Sequence, residues 1–286
     1  MLHNTVAEHE IPKGSRVYFG TVAKRKREFE HNISKLLEKL GFEEIVTPSF
    51  SFDLSKNSIR EPISIVDDNN NKMILRNDST KDVVRIITKR LGRSTTHKKW
   101  FYAQSVFNYP SKEQYQIGAE WIGCQTVENI IDICLQTTKL IKDKLYLQLF
   151  NMNIIKTICK NFDIDIDIFM SNDIDKILKL NIKWLTKLLY SQTIDDIKES
   201  IDISPLSIKD ELNILYDIAL KIKHKDIIIS PLYCSNIDYY DGVSFEIIKD
   251  NYTISRGGKY MINGELSSGF SLYVDDILKL LNKGKI

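Results

Sequence analysis

Phe29, Ile33, Leu36, Leu37 and Leu40 recur at helical spacing, Gly41 can supply a left-handed cap, and residues 42–47 read as a strand that stops at Pro48. A second unit opens with a short strand at 73–76. Asp78 and Ser79 are N-cap candidates for the helix that follows through Leu91 and is closed by Gly92. Residues 99–107 and 113–123 form two strands around a short loop with Asn108, Pro110 and Ser111, the pattern of an antiparallel hairpin. The polar run 67–71 is a hairpin turn, 126–142 has the spacing of an amphipathic helix, and 145–150 reads as a strand.

The texture then changes. Residues 151–226 are rich in Ile, Leu, Lys, Asp and Asn, carry almost no glycine, and break into helical segments such as 207–223. This reads as a helical insertion. Strands return at 227–232, 239–249, 252–255 and 269–273, and a terminal helix runs from Asp275 to about Leu281. Gly242, Gly257, Gly258, Gly264 and Gly269 cluster among these strands, where glycine permits tight turns or close backbone approach. The expected organisation is a first core part at 1–150, a helical insertion at 151–226 and a second core part at 227–286.

Within 113–123, Tyr115, Ile117, Ala119 and Trp121 alternate with Gln116, Gly118 and Glu120, so the polar set shares one face. Gln116 and Glu120 stand about 13 Å apart along it, at roughly 3.3 Å per residue. The glycine between them leaves room for a ligand against the sheet. The same alternation also describes a strand with a solvated outer face.

Composition narrows the function classes. A chain of 286 residues that is 43% hydrophobic can bury a substantial core. Its 40 basic and 38 acidic residues nearly cancel, to +2, which gives no whole-chain field for a polyanion. No apolar run approaches the roughly 20 residues of a membrane span, and the first residues lack the apolar core of a signal peptide. A cytoplasmic protein is expected. The four cysteines show no C-x-x-C spacing and the five histidines form no i,i+4 pair with a neighbouring acid, so free, mostly buried thiols and no metal site are expected.

Two separated stretches, EQYQIGAEWIG at 113–123 and IDYYDGVSFE at 237–246, resemble the histidine-recognition segments of histidyl-tRNA synthetase. IPKGSR at 11–16 with the helix after it and GFEEIVTP at 41–48 is similar to the first motif of class II aminoacyl-tRNA synthetases, whose helix and strand form a dimer interface. LRNDST at 75–80 with the 99–123 hairpin resembles the second motif. SRGGKY at 255–260 and GFSLYVDDIL at 269–278 sit where the histidyl enzyme has its glycine-rich segment and third motif. The resemblance implies an α+β fold, a class II synthetase-like antiparallel sheet flanked by helices and interrupted by a helical insertion. It also implies a histidine pocket with Asp78 and Gln116 at the α-amino group and Glu120 and Tyr240 at the imidazole. Tyr239 and a Gly257–Gly258 turn would shape its walls. Read alone, Asp78 is a helix N-cap before it is a ligand contact, and Tyr239 and Tyr240 are packed strand aromatics.

The departures from that pattern matter as much. Asn108, Ser235 and Asp276 stand where the synthetase places arginines toward ATP, and removing one charged stabiliser of this kind costs on the order of 10²–10³ in rate. No anticodon-binding domain is expected after the third-motif region. The combination resembles the regulatory subunits of ATP phosphoribosyltransferase, paralogues of the histidyl enzyme; Asp78, where the synthetase has glutamate, agrees with them, while Asn77 and Ser79 depart. The resemblance implies a non-catalytic chain with no catalytic residues, no cofactor and no metal. Its partners would be L-histidine, a second copy through the first-motif helix and a separate short-form catalytic subunit, with no membrane and no tRNA. The rival is a reduced synthetase that activates histidine for tRNA or another acceptor, with Arg256, Lys259 or Lys112 as replacement cations.

Overall fold

The computed structural model describes residues 11–52, 61–92, 94–235, 237 and 239–282. Helix α1 (Gly20–Lys39) buries Phe29, Ile33 and Leu37, and Gly41 at φ +84° turns the chain out of it. Of the strand expected at 42–47 only β1 (Glu43–Glu44) pairs, parallel to β5 (Lys99–Asn108). Ile45 N–H still donates to the Phe101 carbonyl at 2.8 Å, and the chain beyond it is held by side chains. The Arg76 guanidinium, buried beneath this segment, donates to the Thr47 carbonyl at 2.7 Å and the Pro48 carbonyl at 3.2 Å, so those acceptors are taken from any ladder.

Strands β2 (Phe50–Phe52), β3 (Ser64–Val66) and β4 (Lys72–Leu75) form a small sheet in the order β2-β4-β3, with the expected turn at 67–71 between β3 and β4. Helix α2 (Ser79–Ile86) begins at Asp78, whose carboxylate accepts from the Lys81 backbone N–H at 3.0 Å, and it continues as a π-helical turn over Ile87–Leu91. β5 and β6 (Lys112–Ile122) pair as the expected hairpin, from Asn108 opposite Lys112 to Lys99 opposite Trp121. Helix α3 (Val127–Thr138) is shorter than its periodicity predicts.

β7 (Tyr146–Asn151) and β8 (Ile227–Ile229) lie side by side in parallel. The chain between them runs through α4 (Met152–Phe162), α5 (Asp167–Met170), α6 (Ile174–Leu178), α7 (Lys183–Leu189), α8 (Ile194–Ile203) and α9 (Leu206–Lys221). α4 and α9 pack on β9 (Tyr240–Lys249), so the helical segment shares one apolar cluster with the sheet. β9, β10 (Tyr252–Ile262) and β11 (Glu265–Tyr273) follow as a meander, and α10 (Val274–Leu281) closes the fold. The large sheet has the order β1-β5-β6-β11-β10-β9-β7-β8. Asp275 stitches its edge elements together, accepting from Tyr18 ahead of α1 and from the Tyr115 backbone N–H.

The expected Gly257–Gly258 turn is absent from the structure. Gly257 and Gly258 form no turn: they lie in mid-β10, opposite Phe270 and Gly269 on one side and Phe245 and Ser244 on the other. They are glycines because of crowding across the sheet. A Cβ on Gly257 would stand 2.5 Å from the Phe245 ring and one on Gly258 2.4 Å from Ser244 Oγ. Gly257 therefore faces the apolar side of the sheet, away from the polar groups discussed below.

Gly269 is the tightest such position: a Cβ there would lie 1.8 Å from Glu120 Oε2 and 2.8 Å from the Ala119 carbonyl. Gly269→Ala is expected to destabilise the chain by about 1–3 kcal/mol, the usual cost of overpacking. The test is a urea titration, read as a lower midpoint at unchanged slope. An unchanged midpoint contradicts this packing.

Candidate functional site

Alternation along the central strands divides the large sheet into an apolar face and a polar one. Gln116, Gly118 and Glu120 on β6 lie opposite Tyr273, Ser271 and Gly269 on β11. Arg256 and Gly258 on β10 lie opposite Glu246 and Ser244 on β9. The polar face is not solvated. Gln116 and Glu246 are nearly buried and Glu120 is fully so.

Glu120 is the centre of this face. Thr80, in the first turn of α2, donates its hydroxyl to Oε1 at 2.7 Å, and Tyr260 of β10 donates to Oε2 at 2.6 Å. Among the described residues no Lys or Arg pairs with it. Burial pushes its carboxyl up to about 8, the two hydroxyls pull the other way, and the Asp78 charge adds to the rise. At neutral pH the group therefore holds a proton, and a cation or an N–H donor brought beside it would favour the charged form. Its neighbours Tyr102, Tyr239, Tyr240 and Tyr260 all have phenols held well above their ordinary range, first by burial.

The residues expected at the pocket come partly together. Tyr239 meets Tyr240 edge-on at 5.5 Å between ring centres and Tyr260 at 5.7 Å, so this aromatic group borders Glu120. The hydroxyl on the carboxylate is that of Tyr260, however, and not that of Tyr240. Asp78 carries the N-cap of α2, two positions before Thr80. Gln116 donates to Gln114 at 3.2 Å. Thr80 and Tyr260 are the members that the sequence reading missed. Tyr260 had a local signal, since it follows Gly258 by two positions on the same strand face; Thr80, 40 residues from Glu120, had none.

Toward the other end of β6 the face opens into a cavity of about 420 Å³. Asn108, Lys112, Gln114, Arg256 and Asp276 line it, with Glu61 at its rim. Arg256 stands 2.8 Å from Glu246, which also accepts from the Tyr233 hydroxyl at 2.9 Å. Burial opposes the Arg256 charge, but Tyr273, Glu246 and the neighbouring phenols together raise its pKa above the ordinary arginine value. Two of the three positions read as lost arginines, Asn108 and Asp276, share this cavity. The third, Ser235, is buried elsewhere, with Oγ accepting from the Ile237 backbone N–H at 3.3 Å. Asn236 and Asp238 beside it lie outside the described residues. Lys259 does not line the cavity.

A long mixed sheet with this strand order, carrying a buried carboxyl and a tyrosine cluster on its inner face, is that of a histidyl-type class II synthetase-like domain. The histidyl-tRNA synthetase family model matches residues 20–277. A solved chain described as an ATP phosphoribosyltransferase regulatory subunit/histidyl-tRNA synthetase from Bacillus halodurans has the same fold, with a TM-score of 0.83 at 18% identity over 96% of this chain and 83% of that one. A chain of the ATP phosphoribosyltransferase complex from Thermotoga maritima matches at 0.67 and 18% identity, over 87% of this chain and 97% of that one. The ATP phosphoribosyltransferase regulatory subunit of Wolinella succinogenes is 38% identical over 276 residues, 96% of each chain. The protein belongs to this family of ATP phosphoribosyltransferase regulatory subunits.

Proposed function

We propose that this chain is the non-catalytic, histidine-sensing member of a two-subunit ATP phosphoribosyltransferase. It assembles with a separate short-form catalytic subunit and acts in the cytoplasm. The observation that carries the reading is the pairing of a retained recognition face with an altered nucleotide end. Glu120, Gln116 and the tyrosine cluster are kept, while Asn108 and Asp276 occupy the cavity where the synthetase pattern calls for arginines. Such a chain can bind without activating what it binds. No helix among the described residues is long and apolar enough to cross a membrane, in keeping with that location.

In this reading L-histidine docks with its ammonium toward Asp78 and Gln116 and its imidazole toward Glu120 and Tyr240. Because Glu120 is fully buried, the ring reaches it only when the Thr80 or Tyr260 hydroxyl turns aside. That exchange links occupancy to the position of α2, which carries Thr80, and to β10, which carries Tyr260. A movement of α2 and β10 is the route by which the ligand state reaches the partner, with a coupling of typically about 1–3 kcal/mol. A homodimer through α1 is part of the same reading, supported by Val17, Phe19 and Val46, which expose apolar surface beside that helix.

The test is co-purification with the cognate catalytic subunit, followed by a steady-state assay at several histidine concentrations. A stable complex with an altered rate and altered histidine sensitivity is expected. A catalytic subunit that neither binds this chain nor changes its kinetics removes the proposal. One observation favours a second reading, an enzyme that activates histidine: Arg256 and Lys112 both line the cavity and supply positive charge there. Pyrophosphate exchange separates the two.

A further inference from the structure

The open cavity at the Gln114 end of the polar face is distinct from the Glu120 region. Gln114 and Glu120 are six residues apart on one strand, about 20 Å at 3.3 Å per residue. At about 420 Å³ it falls at the small end of ligand pockets, a size for a molecule of amino-acid dimensions. Its charges are mixed. Lys112 and Arg256 carry positive charge, Glu61 and Asp276 negative, and Asn108 and Gln114 stand among them.

Three features of this lining point to one chemistry. Lys112 and Glu61 face the same cavity, yet neither is in an ion pair with any described residue, so the opposite charges are held apart. Glu246, 2.8 Å from Arg256, offsets its charge even though Arg256 Nε has no aligned hydrogen-bond partner, which leaves little net positive charge for a polyphosphate that would also meet the Glu61 and Asp276 carboxylates. Finally, Asn108 Oδ1 is buried without a hydrogen-bond partner, a deficit that an N–H donor cancels. An ammonium offers three donors and no acceptor, matching Asn108 Oδ1, Glu61 and the Asp276 carboxylate, whose Oδ1 already accepts from Lys279. A carboxylate matches Lys112 and the outer side of Arg256.

We infer that this cavity is a second binding site, one for a small zwitterion, a free α-amino acid with a polar side chain, held by its carboxylate at Lys112 and Arg256 and by its ammonium at Asp276, Glu61 and Asn108. The site stands apart from the Glu120 end of the histidine seat and adjoins its other end, where Gln116 donates to Gln114 at 3.2 Å. It places an amino-acid sensor where the synthetase pattern places a nucleotide.

Calorimetry on the full chain tests it with L-serine, L-glutamine and L-histidine as probes, and with histamine and ATP as comparators that lack one half of the zwitterion or carry excess negative charge. L-Histidine can occupy both seats, so serine and glutamine discriminate. At least one of those two is expected to bind at one equivalent, and to weaken about tenfold or more in Lys112→Ala and again in Glu61→Ala. Glu120→Gln should leave that binding unchanged. Both substituted side chains are exposed, so the fold tolerates their loss. Failure of serine and glutamine to bind overturns the inference, as does binding indifferent to both substitutions, or ATP binding more tightly than either. Histidine binding that is lost in Glu120→Gln but indifferent to Lys112→Ala overturns this inference and leaves the histidine reading intact. Histidine binding with the reverse sensitivity leaves the cavity site standing and removes histidine from Glu120.

Discussion

L-Histidine-dependent exchange of pyrophosphate into ATP is expected to be absent from the purified protein. Adenylation builds negative charge on the α-phosphate, and the cavity at that end of the sheet is lined by Asn108 and Asp276, which the synthetase resemblance aligns with arginines. In the proposed alignment a neutral amide stands in place of one stabiliser and a carboxylate in place of another. Ser235, the third position, is buried and occupied by a local backbone contact. Each lost charged stabiliser removes on the order of 10²–10³ in rate, so exchange is expected to equal that of a histidine-free blank. The assay is run beside circular dichroism so that an unfolded sample is not mistaken for an inactive one. Exchange clearly above blank would mean that Arg256 and Lys112 have taken over the work, and the activating-enzyme reading would then lead.

Stability should depend on pH through Glu120, and in an unusual direction for a carboxyl group. The folded chain holds the Glu120 proton up to about 8, whereas the ordinary carboxyl releases it near 4.5. Between those values the folded state binds more protons than the unfolded one, so stability falls as pH rises. The contribution is complete below about pH 4.5 and exhausted above about pH 8. Glu120→Gln keeps a group that can pair with both hydroxyls but cannot ionise, and it lacks this slope. Unfolding free energies in urea should show the variant gaining on the wild type by on the order of 4 kcal/mol between about pH 5 and about pH 9. Parallel pH profiles would mean that Glu120 is ionised throughout and that its setting is far more polar than the two hydroxyls imply.

The local parts of this fold were legible in the sequence because their causes are local. Gly41 terminates α1 at positive φ, Asp78 caps α2, and the 99–123 region pairs as a hairpin, each from signals within a few residues. The misreadings came from contacts the sequence does not display. Residues 42–47 look like a strand, but Arg76, some 30 residues on, takes the carbonyls a ladder would need. Gly257 and Gly258 look like a turn because glycine has two uses, and only the crowding of Phe245 and Ser244 from the next strand selects between them. The site was legible to the same degree. Glu120 and the tyrosines stand out by alternation and resemblance, whereas the hydroxyls that engage Glu120 come from 40 residues before it and 140 after. Four residues of the open cavity, Asn108, Lys112, Arg256 and Asp276, were singled out through the resemblance as a nucleotide end, but Glu61 and Gln114, which share the cavity with them, carried no signal of their own.

The position of β11 between β6 and β10 bears on how this protein is made. β6 finds its first neighbour, β5, across a short loop, but its second is β11, whose Gly269 lies opposite Glu120. A ribosome finishes Lys112–Ile122 well before it reaches Glu265–Tyr273. Throughout that interval an eleven-residue strand offers a bare hydrogen-bonding edge to any other nascent chain. The residues that will later form the ligand-facing surface are then also open to water. Late closure of the sheet is thus a window of exposure during synthesis, and the last strand to arrive is the one that ends it.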